Sequence, residues 1–386
     1  MGIYKLMDLI REKAPNAIRT VQLDLFAGKT VACDASMAIY QFIIATQGYN
    51  QANGLTELTD KEGNKTGHLV GLMNRTIMFM ENGIKPIWVF DGKPPLLKSG
   101  ELAKRKKAKE EAKDRFEEAQ EVGDFETALK QKVRSTLVTK TMIEDAKKML
   151  RLLGVPVIEA PCEAEAECAE LVKAGKAYAT ATEDMDALTF GTKYLLRGFN
   201  NKKEPIYEVA YDEMIKGFDM THDEFVDLCI LCGCDYTETV DGVGPVTAFK
   251  LIKEHKTLEK VIERLKKDNE DPKRKKKYVI PEPFNYEDAR ELFVKPKVLE
   301  DTDKIEIKFN KPDQDALKQF LVEEKGFSET RVDNAVNKMK AVDTKGHQSR
   351  LDSFFGKPVV VKRKEPESAS ASKGKGSAQS MKKKKQ

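Results

Sequence analysis

The chain has 386 residues, 40% of them hydrophobic and 34% charged, with a formal net charge of +4. That is enough apolar material for a substantial core, and no apolar run is long enough to span a membrane. The N-terminus lacks a signal-peptide apolar stretch and Leu6 breaks the myristoylation pattern, so a soluble intracellular protein is expected.

The charge is unevenly placed. Residues 356–386 carry ten Lys/Arg against two Glu, a net of +8, which leaves −4 for residues 1–355. The body is therefore not a uniformly basic polyanion binder, and any nucleic-acid surface on it must be a local patch. The six cysteines fit reduced thiols better than a disulfide framework. Cys229, Cys232 and Cys234, with His222 upstream, have zinc-like spacing but lie in an apolar, helix-like run that reads as core.

In chain order, residues 3–14 read as a helix ended by Pro15, 29–36 as a strand, 37–47 as a helix and 85–92 as a buried strand. Residues 47–66 are rich in Gly, Asn and Thr and read as an irregular loop. Residues 96–120 and 125–153 read as highly charged helices that project from the body. Strand-like chain resumes at 155–160, 177–182 and 193–199, an alternation that argues for an α/β sheet with crossover helices. Helices near 222–232 and 246–255 flank a turn at 241–245, and 312–340 look like terminal helices. Beyond Gly356 the composition is that of a disordered basic tail.

Seven acids stand where strand-like or buried segments end: Asp34, Asp91, Glu163, Glu165, Asp184, Asp186 and Asp235. An open α/β sheet gathers its site at the carboxyl ends of its strands, so these residues can converge. Converged carboxylates repel by about 4 kcal/mol per pair at 4 Å and an effective dielectric near 20. Oxygen-only donors suit Mg²⁺ or Mn²⁺, and a pair of such ions can activate water and hold a phosphate. Asp184 and Asp186 point the same way if the chain there is extended. Glu163 and Glu165 would be about 200° apart on a regular helix, where Glu163 and Glu167 would share a face. The pair works only if a helix is just beginning, as Pro161 suggests. Each acid alone could equally be a cap, a turn former or surface.

The segments MGIYKLMDLI, VACDASMAIYQF, NGIKPIWVFDGKPPLLKSGELAKR, EAPCEAEAECAELVKAGKAYATATEDMDALTFG and DLCILCGCDYTETVDGVGP resemble the flap endonuclease family over about residues 1–356. The resemblance implies a central mixed, mostly parallel seven-stranded sheet flanked by helices, a helical arch and a helix–hairpin–helix-like DNA-binding motif. It implies two Mg²⁺ ions, with Mn²⁺ as a substitute: Asp34, Asp91, Glu163 and Glu165 serve one, Asp184, Asp186 and Asp235 the other, and Glu165 is shared. It assigns Lys98 and Arg105 to catalysis at the arch base, where their spacing, continued by Lys109, otherwise reads as a solvated helix face. It places Gly2, Tyr40, Arg75 and Glu163 near DNA, with Tyr40 stacking on a base, although the family arginine expected soon after Tyr40 is absent.

Gly242-Val243-Gly244-Pro245 resembles a phosphate-clamping hairpin. Asp241, Val246 and Thr247 stand where relatives often carry basic residues, so side-chain phosphate contacts there are expected to be lost, with Lys273–Lys277 as compensation. Gln348, Leu351, Phe354 and Phe355 match the peptide that docks on the trimeric sliding clamp of replication (PCNA).

The implied divisions are 1–110, an N-terminal nuclease region; 111–127, part of the arch; 128–258, an internal nuclease region with the hairpin; 259–340, a helical part of the body; 341–355, the clamp peptide; and 356–386, the tail. The implied function is cleavage of 5′ flaps with weaker 5′→3′ exonuclease activity, in Okazaki-fragment maturation and long-patch base-excision repair. The implied setting is the nucleus (nucleoplasm and nucleolus) with a mitochondrial pool, for a monomer that sits up to three per clamp. A related bubble- or end-acting nuclease and an inactive clamp-bound scaffold are the alternatives.

Overall fold

The computed structural model describes residues 2–50, 54–199, 205–272 and 277–344, all within a unit spanning residues 1–347. Lys273–Lys276, residues 345–355 of the expected clamp peptide and the basic tail lie outside the described residues, while residues 341–344 belong to the last helix, Glu329–Thr344. Among the described residues nine strands form, β1 Ile18–Val21, β2 Thr30–Asp34, β3 Gly48–Asn50, β4 Gly54–Thr56, β5 Lys85–Phe90, β6 Val157–Glu159, β7 Ala179–Ala181, β8 Tyr194–Arg197 and β9 Ile206–Ala210. Seven of them make one mixed sheet in the order β1-β9-β8-β7-β2-β5-β6, while β3 and β4 pair as a separate hairpin inside the stretch expected to be irregular. The run β8-β7-β2-β5-β6 is parallel, and β9 and β1 close one side antiparallel. In β2, Cys33 pairs with Trp88 on one side and Ala181 on the other, which makes β2 the centre of the parallel run.

The parallel strands read as apolar runs because helices cover both faces. The helices in chain order are α1 Leu6–Lys13, α2 Ala35–Ala45, α3 Gly67–Glu81, α4 Ser99–Glu121, α5 Phe125–Arg134, α6 Lys140–Leu152, α7 Ala164–Lys173, α8 Asp186–Thr189 and α9 Tyr211–Phe218. They are followed by α10 His222–Cys232, α11 Pro245–His255, α12 Leu258–Glu270, α13 Tyr286–Val294, α14 Gln314–Lys318 and α15 Glu329–Thr344. One core cluster joins α2, α3, α6 and α15 to the sheet around Trp88 and Phe79. A second gathers α1 and α9–α13 around Phe218, Phe225 and Phe293. Trp88 is fully buried, and its indole N–H is satisfied by Thr76 Oγ1 at 3.0 Å.

The charged helices divide. In α4 only Ala112 and Ala119 are buried, and α4 packs along α5, whose Ala128 and Gln131 are buried. Small side chains there let two charged helices lie together with little apolar area. The helix α6 does not project as expected: Met142, Ala146, Met149 and Leu150 recur at helical spacing and are buried. Its one buried charge, Lys147, pairs with Glu144 at 2.9 Å and Glu159 at 2.6 Å.

Strands β1 and β9 escape the sequence reading for a related reason. Glu208 lies inside β9 at 0% exposure and breaks the apolar pattern, yet Arg19 of β1 and the Tyr178 hydroxyl, at 3.1 Å, both donate to it. Cys229 and Cys232 are buried in the apolar core of α10, and the His222 ring is engaged by the Tyr211 hydroxyl at 2.6 Å. Among the described residues, no helix is long and apolar enough to cross a membrane.

Candidate metal centre and DNA-facing surface

Four neighbouring strands deliver the acids to one edge of the sheet. Asp34 is the last residue of β2, Asp91 follows β5, Asp184 follows β7, and Glu163 lies just past β6 as the residue before α7. Asp235 arrives differently, from the loop after α10, where the preceding run is helix and not strand. Asp34, Asp91, Glu163, Glu165 and Asp184 line one cavity of about 280 Å³ together with Tyr40, Lys98 and Arg105.

Each position has a local cause. Asp34 caps α2, accepting from Met37 N at 3.0 Å and from Thr182 Oγ1 at 2.9 Å. Asp91 accepts from Ala164 N at 2.8 Å and so ties the end of β5 to the start of α7. Glu163 has extended backbone (φ −87°, ψ 133°) and α7 begins at Ala164, so the regular-helix angle between Glu163 and Glu165 does not apply. Glu165 falls in the first turn and lines the cavity, whereas Glu167 is fully buried and accepts from Leu299 N at 2.9 Å. Glu167, which a regular helix would set on the face of Glu163, thus does not line the cavity. Asp184 and Asp186 also meet by another route than extended chain: Asp186 opens α8 and its N–H donates to Asp184 Oδ1 at 3.1 Å.

Burial and nearby carboxylates raise Asp34, Glu163, Glu165, Asp184 and Asp186. Burial, then Asp91, pushes Asp34 up to about 7. Burial, then Asp34 and Asp91, pushes Glu165 well above the usual range, and burial, then Asp184 and Asp235, does the same to Asp186. Asp186 Oδ1 is buried with no hydrogen-bond partner. Two cations answer the excess. Lys98 Nζ lies 2.5 Å from Glu163 and 3.4 Å from Asp235, and Arg105 Nη2 lies 2.8 Å from both oxygens of Asp235. Burial alone would lower the Lys98 and Arg105 pKa values, but Glu163 and Asp235 respectively raise them on balance, so both stay charged. Among the described residues, no three side chains surround a common point as a finished coordination shell. The donor set nevertheless fits a hard divalent cation: all oxygen, more negative than its two cations, and with one buried oxygen unanswered.

The residues that the resemblance implies to be near DNA are placed as follows. Gly2 lies against it, since a Cβ there would sit 1.9 Å from Asp184 Oδ1 and 2.3 Å from Asp186 Oδ1. Tyr40 lines both the acidic cavity and a cavity of about 630 Å³ beneath the α4–α5 pair, which Arg105, Lys109, Arg115, Gln131 and Arg134 also line. Arg115 and Arg134, which the sequence reading did not single out, were recognisable only once α4 and α5 were known to face one another. Arg75 does not line either cavity. It sits half-buried on α3 with its guanidinium 4.1 Å from the Phe42 ring centroid and 3.3 Å from Gln41. Gly242 has φ +89°, and Gly244 precedes α11 with open space where a Cβ would be, leaving that helix end uncapped by any side chain.

The matched family regions are the XPG N-terminal domain over residues 1–112 and the XPG I-region over residues 154–235. With the fold and the acidic pocket they define the class, a metal-dependent 5′ nuclease that hydrolyses phosphodiesters. The chain is 61% identical over 363 residues to flap endonuclease 1-2 of Paramecium tetraurelia, with 92% of each chain covered. It is 47% identical over 373 residues to flap endonuclease 1 of Danio rerio, covering 95% and 94%. Among solved structures, flap endonuclease-1 from Methanococcus jannaschii superposes with a TM-score of 0.63 at 30% identity, covering 84% of this chain and 96% of that one. The catalytic core of Rad2 in complex with DNA substrate shares the fold, with a TM-score of 0.66 at 24% identity over 88% and 100% of the two chains. The chain belongs to the flap endonuclease 1 family.

Two outcomes follow from the geometry of the acids. Glu165→Gln should cut single-turnover cleavage by about 10²-fold or more with unfolding stability retained. Glu167→Ala should instead cost about 1–3 kcal/mol of stability, through the orphaned Leu299 N–H, with cleavage intact; the reverse pattern would transfer the site to Glu167. In metal-free protein the contribution of Asp34 is present below its unfolded pKa near 3.8 and is lost as pH rises through about 7. Urea midpoints in chelator should therefore fall more steeply over that window for wild type than for Asp34→Asn, and parallel curves would refute it.

Proposed function

We propose that this chain cuts displaced 5′ flaps at their junction with duplex, leaving a ligatable nick, and works more weakly as a 5′→3′ exonuclease. The observation that carries this reading is one pocket lined by five of the acids with Lys98 and Arg105, to which Asp186 is tied through Asp184 and Asp235 through the two cations. Asp34, Asp91, Glu163 and Glu165 would hold one Mg²⁺ and Asp184, Asp186 and Asp235 a second, with Glu165 shared and Mn²⁺ able to substitute. When bound, the ions supply an activated water and screen the charge of the scissile phosphate.

The protein's own groups do the rest. Lys98 and Arg105 stand at the mouth of the acidic pocket and offer positive charge to the phosphate as charge builds on its leaving oxygen. Tyr40 presents a ring between the pocket and the arch, where a base next to the cut can stack without sequence preference. The arch encloses a cation-lined passage suited to a single strand, and the glycine hairpin offers backbone N–H groups to duplex phosphates. Substrate choice then comes from duplex shape and a threadable 5′ end rather than base sequence.

Cleavage of flap, bubble and nicked DNA with Mg²⁺ tests the reading, with Asp184→Ala as the inactive reference. The junction of the flap should be the preferred cut, and no cut there by wild type would sink it. Lys98→Ala should slow single-turnover cleavage by about 10²-fold while DNA affinity changes far less; an unchanged rate would remove Lys98 from the chemistry.

The roles in Okazaki-fragment maturation and long-patch base-excision repair come with the family, and they need recruitment. Leu351, Phe354 and Phe355 can form one apolar plug over a helical turn, with Gln348 in a polar pocket of the sliding clamp. A monomer would occupy each subunit of the trimer. Lys362-Arg363-Lys364 and Lys382–Lys385 suit nuclear import or attraction of the tail to DNA, and the proposed setting is the nucleus and nucleolus with a mitochondrial pool. Replacing Phe354 and Phe355 together by Ala should weaken clamp binding by at least about 2 kcal/mol, roughly 30-fold, and leave clamp-free cleavage unchanged. Calorimetry with the isolated clamp reads this directly, and unaltered affinity would reject the peptide.

A further inference from the structure

An extended segment that carries Lys277 runs beside the glycine hairpin. Asp241 N donates to Val279 O at 2.9 Å, and Val279 N donates to Asp241 O at 3.2 Å, an isolated antiparallel bridge. One residue earlier the backbone groups point the other way. There Asn269 of α12 acts as a surrogate strand: Tyr278 N donates to Asn269 Oδ1 and Asn269 Nδ2 donates to Tyr278 O, both at 2.8 Å. The Tyr278 ring closes over Gly242, where a Cβ would meet its Cδ1 at 3.1 Å. The segment is thus held from both edges.

Lys277 is the exposed residue this arrangement positions. Its carbonyl lies 4.0 Å from the point where a Gly242 Cβ would be. The hairpin itself offers Asp241, Val246 and Thr247, none of them cationic, so a phosphate held on its backbone receives no charge from its own side chains. Backbone donors fix position, while Lys and Arg supply most of the salt-dependent affinity.

We propose that Lys277 contacts a duplex phosphate next to the one at the Gly242–Gly244 hairpin, and that Asn269 is the positioning residue that holds it there. The proposal rests on the flap-nuclease reading. It makes the duplex-holding surface a composite of two segments, with backbone donors from one and charge from the other.

The test measures affinity of the full-length protein for a duplex with a 5′ flap, and for the same duplex without it, in Ca²⁺ across a KCl series. Lys277→Ala should reduce the slope of log affinity against log salt by about 0.9, and weaken binding roughly 8-fold at 0.1 M salt, on both DNAs. Lys140→Ala, an exposed lysine at the start of α6, should leave both unchanged. Asn269→Ala, checked for an unaltered unfolding midpoint, should reproduce the slope loss with Lys277 still present. A Lys277→Ala slope equal to that of Lys140→Ala would overturn the proposal, and a loss confined to the flapped DNA would move Lys277 off the duplex and overturn it too. Failure of the nuclease reading would show separately, as wild type that does not cut.

Discussion

Mutual repulsion among buried carboxylates is the constraint on which the rest of this structure depends. Asp34, Asp91, Glu163, Glu165 and Asp184 line one space of about 280 Å³, Asp186 bonds to Asp184, and burial with mutual repulsion raises the pKa values of Asp34, Glu165 and Asp186. The protein offsets part of that cost with backbone and hydroxyl donors at Asp34 and Asp91 and with the ammonium and guanidinium of Lys98 and Arg105. What is left over is a standing preference for hard cations. A site of this kind needs a stiff support, and the five parallel strands fixed by Trp88, Phe79 and their neighbours provide it.

The same ion pairs give the arch its footing. Arg105 binds Asp235, Lys104 binds Glu238 at 2.7 Å, and at the far end Gln47 bonds Thr136 at 3.0 Å. Between those anchors α4 and α5 lean on one another through alanines, with Lys132 set 5.1 Å from the Phe116 ring centroid. The arch is therefore held by polar contacts at its ends and little apolar area along its length. Its lower anchor is made to Asp235 of the acidic cluster, so a displacement of α4 would act on that cluster without any long relay.

The sequence showed most of the sheet and the helices α1, α2, α10 and α11 through their apolar residues, and α4 through its unbroken run of Ala, Glu and Lys, which are strong helix formers. It hid β1 and β9, since a buried Glu208 satisfied by Arg19 and Tyr178 looks like surface until its partners are known. It misjudged α6 for the converse reason: charge dominates its composition, but its apolar residues keep one face. In the site, types and rough positions of the acids were legible, whereas Glu165 against Glu167 turned on where α7 starts, a one-residue matter that spacing alone does not decide. The cations beneath the arch needed the mutual orientation of two helices, which no local pattern encodes.

The arch lies within the crossover between β5 and β6, and those strands bond directly, Trp88 opposite Val157. The sheet therefore does not measure the length of chain that separates them. Doubling a flexible connection costs only about 0.6 kcal/mol in closure entropy. Aperture and catalytic geometry are in this way independent variables: insertions or deletions near Gly123, the exposed turn between α4 and α5, can widen or narrow the gate while every acid stays in register. A lineage could change which DNA ends are admitted without touching the reaction performed on them.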